Sequence, residues 1–171
     1  AAQLLLTVDD LEDRRRYLNA SATLGRLLKA GAVPVINEND SVATQEIRFG
    51  DNDRLAARVA QAANAQVVML LSDVDGLYDR NPKEPGASLV PRIKGVTPAV
   101  QAMASGDSGS GMGSGGMSSK LIAAKIATRA GITLGIINGQ HAQPLTRAIS
   151  QDIGTLFLPT RRDSGRKAWL G

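Results

Sequence analysis

Three stretches of this chain carry residue types whose spacing could do chemistry. The first is Asn37-Glu38-Asn39-Asp40, followed after a short alternating run by Asp51-Asn52-Asp53. An apolar strand over 33–37 feeds the first cluster, and a helix over 51–63 starts at the second. Open α/β sheets bind ligands where polar groups gather at strand ends and helix starts. Asn, Asp and Glu at one mouth can grip an amine, a carboxylate or a metal-phosphate. Paired carboxylates also suit an acid–base hydrolase, and an Mg2+ site stays open as well. Asp51 fits the N-cap of the helix and reads as structural.

The second stretch is Gly109 to Lys120, inside a segment (105–119) with Gly or Ser at twelve of fifteen positions. Composition alone describes a flexible linker. Position argues for more, because the run ends at a helix over 118–130 with Lys120 in its first turn. Backbone N–H groups, a helix N-terminus and a lysine together make a phosphate cradle. Gly111 to Gly116 matches the G-x-G-x-x-G spacing, but no strand feeds it, and it is not a Walker loop. The third stretch is Ser72-Asp73-Val74-Asp75-Gly76-Leu77-Tyr78, after an apolar strand over 66–72. A calcium loop fails, because its alignment puts Leu71 and Pro82 where acids are required. That leaves a turn set by Asp75-Gly76, with Ser72 and Asp73 free to meet a ligand at the strand end.

The elements that must position these groups alternate. Strands are expected over 3–8, 33–37, 66–72, 132–138 and 155–158. Helices are expected after Asp9 or Asp10 as cap, then over 22–30, 51–63, 118–130 and 144–149. Residues 79–95 hold three of the seven prolines and read as loop and hairpin. The 66–72 strand is apolar throughout, as a strand covered on both faces should be. Alternation of this kind argues an α/β fold with a mostly parallel sheet covered on both faces. The core must be aliphatic, since 43% of the residues are hydrophobic and 3% aromatic.

The 171 residues suffice for one domain with a real core. The absence of cysteine excludes disulfides, thiolate metal sites and a cysteine nucleophile. No apolar run approaches the ~20 residues needed to cross a bilayer, and no signal-peptide pattern is visible; the expected location is cytoplasmic. A net charge of +4 suits an anionic ligand and is mild for a nucleic-acid binder. His141, the single histidine, reads as a solvated loop residue. Arg161 to Lys167 could touch RNA, but with Trp169 as the one aromatic nearby a solvated linker is the better reading. Opening inside an apolar strand suggests a piece of something longer.

Taken together, these motifs resemble the amino acid kinase family, and within it the branch that phosphorylates glutamate. The resemblance rests on Pro34-Val35-Ile36-Asn37-Glu38-Asn39-Asp40, Phe49-Gly50-Asp51-Asn52-Asp53, Ser72-Asp73-Val74-Asp75-Gly76-Leu77-Tyr78 and Gly115-Gly116-Met117-Ser118-Ser119-Lys120. Leu11-Glu12-Asp13-Arg14 and Tyr17-Leu18-Asn19 are similar too. The first two motifs are the most specific, since sibling kinases acting on aspartate, N-acetylglutamate or UMP carry different residues there.

The resemblance implies a three-layer αβα sandwich, truncated at its N-terminal edge. It implies transfer of the ATP γ-phosphoryl group to the side-chain carboxylate of L-glutamate, giving glutamyl 5-phosphate at the entry to proline synthesis, with Mg2+. Asp40 and Asn52 would hold glutamate. Ser72, Asp73 and the run Ser114, Gly115, Gly116, Met117, Ser118, Ser119 and Lys120 would contact ATP. Lys120 would neutralise charge on the transferring group, with Asp53 orienting lysines. Because the attacking carboxylate is already ionised at pH 7, no general base is required, which removes the hydrolase reading. Ser72 and Ser119 stand where the family commonly has threonine, and both keep the hydroxyl.

The family's opening Lys-x-Gly strand and Ser-Gly-Ala loop are not in this sequence. Residues 1–160 are therefore expected to be a partial kinase domain, inactive by itself, and 161–171 a basic linker toward a PUA domain. Proline as feedback inhibitor, a homo-oligomer and a link to glutamate-5-semialdehyde dehydrogenase are implied as partners. The competing readings are a sibling amino acid kinase and a non-catalytic nucleotide- or nucleic-acid-binding module.

Overall fold

A computed structural model describes residues 1–39, 51–105, 114–151 and 153–159. Thr7 ends strand β1 (Ala2–Leu6) and opens helix α1 (Val8–Glu12). Its hydroxyl accepts from the Asp10 N–H at 3.2 Å, and the Asp10 carboxylate accepts from the Thr7 N–H at 2.8 Å. This reciprocal pair is a capping box. Thr7, rather than Asp9 or Asp10, is therefore the cap, and Asp10 is its partner at the third helical position. Burial would raise the Asp10 carboxyl, yet hydrogen bonds from Thr7 and the nearby Arg16 leave it below its usual range.

Asp13 then caps α2 (Arg14–Lys29), accepting from the Arg16 N–H at 2.9 Å. The helix starts well before the expected residue 22. Its first turn is three arginines, so apolar spacing was silent there and the cap carries the start. Tyr17, Ala20 and Leu24 form its inward stripe.

β2 (Pro34–Glu38) runs parallel to β1, from Ala2 opposite Pro34 to Leu6 opposite Glu38. α3 (Asp51–Ala62), β3 (Val67–Ser72), α5 (Ser114–Arg129), β5 (Thr133–Asn138), α6 (Pro144–Ser150) and β6 (Thr155–Leu158) follow the expected series closely. The 79–95 region has the hairpin character expected of it, with a short strand besides. Tyr78 and Leu89 make an antiparallel bridge, and β4 (Arg92–Lys94) lies beyond it. α4 (Pro98–Ser105) was not foreseen; Pro98 suits a first helical position.

The α/β alternation thus holds, but the strands form two sheets. β1 and β2 make one; the other has the order β3-β5-β6-β4. β3 with β5 and β4 with β6 are parallel, whereas β5 and β6 are antiparallel. α3 joins the two cores. Its Leu55 and Ala62 pack with Leu11, Ala20 and Leu24, while its Ala57 and Ala60 pack with Leu121, Ala124 and Phe157.

Alanines make the α3–α5 seam narrow: Ala57, Ala123, Ala124 and Ala127 have no exposed surface. Small residues let helix backbones approach closely, and that approach sets the first turn of α3 beside α5. One expectation about burial fails. Val67 and Leu71 of β3 are 53% and 51% exposed, so the strand is covered on one face only. It stands at a sheet edge, and α3 and α5 cover its Val68 and Leu70 side.

Gly154 marks the turn into β6. Its φ is +80°, and a Cβ there would run into the Ile136 carbonyl. Gly154→Ala is therefore expected to lower unfolding free energy by about 1–3 kcal/mol, the usual strain of a side chain forced into this region. Urea denaturation of the full-length protein reads it, and an unchanged midpoint and slope would contradict the geometry.

Candidate functional site

The α3–α5 seam brings three site residues together. Asp53 lies in the first turn of α3; Ser119 and Lys120 are neighbours on α5. The Ser119 hydroxyl donates to Asp53 Oδ2 at 2.6 Å, and Lys120 Nζ donates to the same oxygen at 3.0 Å and to Oδ1 at 3.4 Å. The Asp53 and Lys120 side chains are 16% and 15% exposed. A charge-assisted pair this sheltered is worth more than a surface ion pair. Its geometric effect matters more: a flexible four-carbon chain ending in an ammonium is held at one place.

Helix α5 begins at Ser114, four residues before the expected start. Gly115, Gly116, Met117, Ser118 and Ser119 therefore belong to the helix, and Lys120 lies nearly two turns in rather than in the first turn. Glycine composition hid this, because glycine disfavours helix interiors. The N–H groups of 114–116 are those without an intrahelical acceptor, at the positive end of the helix dipole. Side chains on a helix lean toward its N-terminus, so Lys120 leans toward those same groups. The upstream part of the glycine run, 106–113, lies outside the described residues.

A second polar group forms at the ends of β3 and β5. Parallel pairing puts Ser72 opposite Asn138, so both strands present their C-terminal ends together. Ser72 donates its hydroxyl to Asp73 Oδ1 at 3.1 Å, and its carbonyl accepts from the Gly139 N–H at 2.8 Å. Asn138 donates its amide to Asp75 Oδ1 at 3.0 Å, and Tyr78 donates its hydroxyl to Asp75 Oδ2 at 3.4 Å. His141 Nε2 stands 3.5 Å from Asp75 Oδ1. The Asn138 amide, with His141 and Tyr78 adding, holds the Asp75 carboxyl below its usual range. Asp75 and His141, expected as a turn residue and a solvated one, are thus partners in one exposed network. Asn138, followed by Gly139 at a strand end, was the available signal.

The remaining expected residues separate. Asn52 is exposed on the first turn of α3, next to Asp53. Asp73 is exposed and Ser72 half-buried at the end of β3. Asp40 lies outside the described residues, as do the side chains of Asp51 and Ser114 and the basic stretch 161–171. Chemically, these groups offer an ammonium held in the second turn of α5, an exposed amide in the first turn of α3, and a strand-end loop rich in hydrogen-bonding groups. Such a set suits a ligand with several phosphates and a smaller polar second ligand.

Residues 1–138 match the model of the amino acid kinase family. The chain is 68% identical over its whole length to "Glutamate 5-kinase" of Novosphingobium aromaticivorans, of which it spans 45%. It is 62% identical, over 99% of its length, to the protein of the same name from Sphingopyxis alaskensis, again spanning 45% of it. The chain thus spans less than half the length of these relatives. Among solved structures, the UMP kinase from Ureaplasma parvum aligns over 81% of this chain and 52% of its own, with a TM-score of 0.57 at 13% identity. The carbamate kinase from Giardia lamblia bound to AMP-PNP aligns over 81% of this chain and 44% of its own, with a TM-score of 0.56 at 19% identity. At those identities the likeness is one of fold.

Proposed function

This chain belongs to the amino acid kinase family, and from that membership we propose that it serves ATP-dependent phosphorylation of the side-chain carboxylate of L-glutamate, giving glutamyl 5-phosphate, the first step of proline synthesis. The observation that carries this reading is the Asp53–Ser119–Lys120 cluster, between the first turn of α3 and the second turn of α5. The identity to proteins named for glutamate phosphorylation supports the choice of acceptor.

In this reading the phosphates of ATP lie along 114–120, against the free N–H groups of α5. Lys120 donates to the oxygens of the transferring phosphoryl group, where charge builds as the bond to the leaving oxygen lengthens. Asp53 keeps that ammonium in place and does not touch the substrate. Phosphoryl transfer asks mainly for positioning and charge stabilisation, and the glutamate carboxylate is a nucleophile that needs no base. Asp40 pairs with the glutamate ammonium, and Asn52 hydrogen-bonds the amino acid. Ser72 and Asp73 contact the nucleotide.

Mg2+, when bound, would supply charge neutralisation on the phosphate oxygens. Among the described residues no three acids or histidines gather into a metal site. Exposed Asp73, at the end of β3, would be the acid available to hold the ion. The product is a mixed anhydride prone to hydrolysis, so a glutamate-5-semialdehyde dehydrogenase working alongside would protect flux. Proline, as end product, is the proposed feedback inhibitor, and the assembly a homo-oligomer.

The test is acceptor choice. The full-length protein should release ADP with glutamate and far more slowly with aspartate or N-acetylglutamate; a preference for either alternative would overturn the assignment. Asn52→Ala should raise KM for glutamate about 10-fold or more, the cost of one lost hydrogen bond to a charged ligand, while KM for ATP stays put. Equal change in both would remove Asn52 from the acceptor site.

A further inference from the structure

Thr155, in β6, is a fully buried polar residue whose hydroxyl serves neither its own strand nor a neighbouring one. Its Oγ1 accepts from the Leu77 N–H at 2.8 Å. The same Oγ1 lies 3.5 Å from the Leu77 carbonyl, to which it donates. One hydroxyl thus meets both main-chain groups of a residue in the strand-end loop. Leu77 is 2% exposed, so water cannot take the place of that oxygen. Gly76 presses on the same atom: a Cβ there would stand 2.6 Å from Thr155 Oγ1 and 3.0 Å from the Thr155 nitrogen. At its other end the loop is tied to β5, through Gly139 to the Ser72 carbonyl and through Asn138 to Asp75.

We propose that Thr155 is a positioning residue for the nucleotide: through Leu77 and Gly76 its hydroxyl sets the backbone of the 72–78 loop, and so the aim of Ser72 and Asp73. This rests on the reading above that the loop contacts ATP. The loop leaves β3 and must turn at once, while Ser72 and Asp73 have short side chains that cannot correct a displaced backbone. A latch from β6, a strand that carries none of the substrate contacts, supplies the rigidity that the exposed face of the loop lacks. The contrasting role is plain core filling, which a valine of the same shape would perform equally well.

Thr155→Val in the full-length protein separates the two. It leaves the Leu77 N–H buried without an acceptor, so the loop must shift to satisfy it. KM for ATP, and the Kd of a non-hydrolysable ATP analogue measured by calorimetry, should rise about 10-fold, the scale of one orphaned buried donor. KM for glutamate should stay within about 2-fold, and Thr155→Ser, which keeps the hydroxyl, should restore nucleotide binding. Parent-like nucleotide binding by Thr155→Val, whatever its melting temperature, overturns the proposal. So does equal weakening by valine and serine, or a parallel rise in both KM values.

Should Thr155→Val fail to fold, Gly76→Ala pushes the loop away from the same atom. It must then weaken the ATP analogue and spare glutamate, or the proposal falls. A parent protein that binds the analogue without phosphorylating glutamate counts against the acceptor assignment alone, because the Thr155 comparison is read on nucleotide binding.

Discussion

Lys120→Met in the full-length protein is expected to lower kcat for glutamate-dependent ADP release by about 10²–10³-fold, the usual loss when one preorganised donor to transition-state charge is removed. KM for ATP should change much less. Ground-state phosphates still have the α5 N–H groups, whereas the charge that builds during transfer has lost its partner. Methionine keeps the length and apolar stem of the side chain, so packing along α5 is preserved. Lys120→Arg should not restore the rate. Lys120 Nζ and the Ser119 hydroxyl share Asp53 Oδ2, at 3.0 Å and 2.6 Å, and a larger planar guanidinium on that carboxylate would not place its charge where the compact ammonium does. A kcat within a few-fold of the parent for Lys120→Met would remove this residue from the chemical step.

Asp53→Asn should give the second large effect. Asparagine retains an oxygen for Ser119 but loses the charge that anchors Lys120. The lysine then samples other rotamers, and kcat should fall about 10–10²-fold, less than when the ammonium itself is removed. The double variant with Lys120→Met should be no slower than Lys120→Met alone, because Asp53 acts through that lysine. Such non-additivity marks a coupled pair. Multiplicative losses would show that Asp53 meets the substrate by another route. Thermal melts separate rate from stability: a partly sheltered ammonium left without its carboxylate should cost about 1–3 kcal/mol.

Much of the scaffold was legible because local rules and global fold agree. The apolar runs at 33–37, 66–72 and 132–138, each next to a glycine-stopped or alanine-rich helix, read as strands and are strands. Where local signals were weak the reading slipped. The arginine-rich start of α2 had no apolar face to reveal it; the glycines at 115 and 116 argued against the helix they begin. β4 has three residues among prolines and glycines, and its pairing partner, β6, is more than sixty residues away. Asp53 and Lys120 were each identified, but their direct contact spans 67 residues, a separation that no spacing rule sees.

The sequence by itself determined the alternating α/β order, the family resemblance and the residue types at each strand end, because these depend on periodicity, turn chemistry and contiguous motifs. Tertiary structure decided what those residues do to one another. Two alanine-lined helices approach closely enough for Asp53 to grip Lys120 and Ser119, and a buried threonine from the last strand reaches the loop after β3. Both outcomes depend on packing between elements distant along the chain, where the deciding quantity is a distance between side chains.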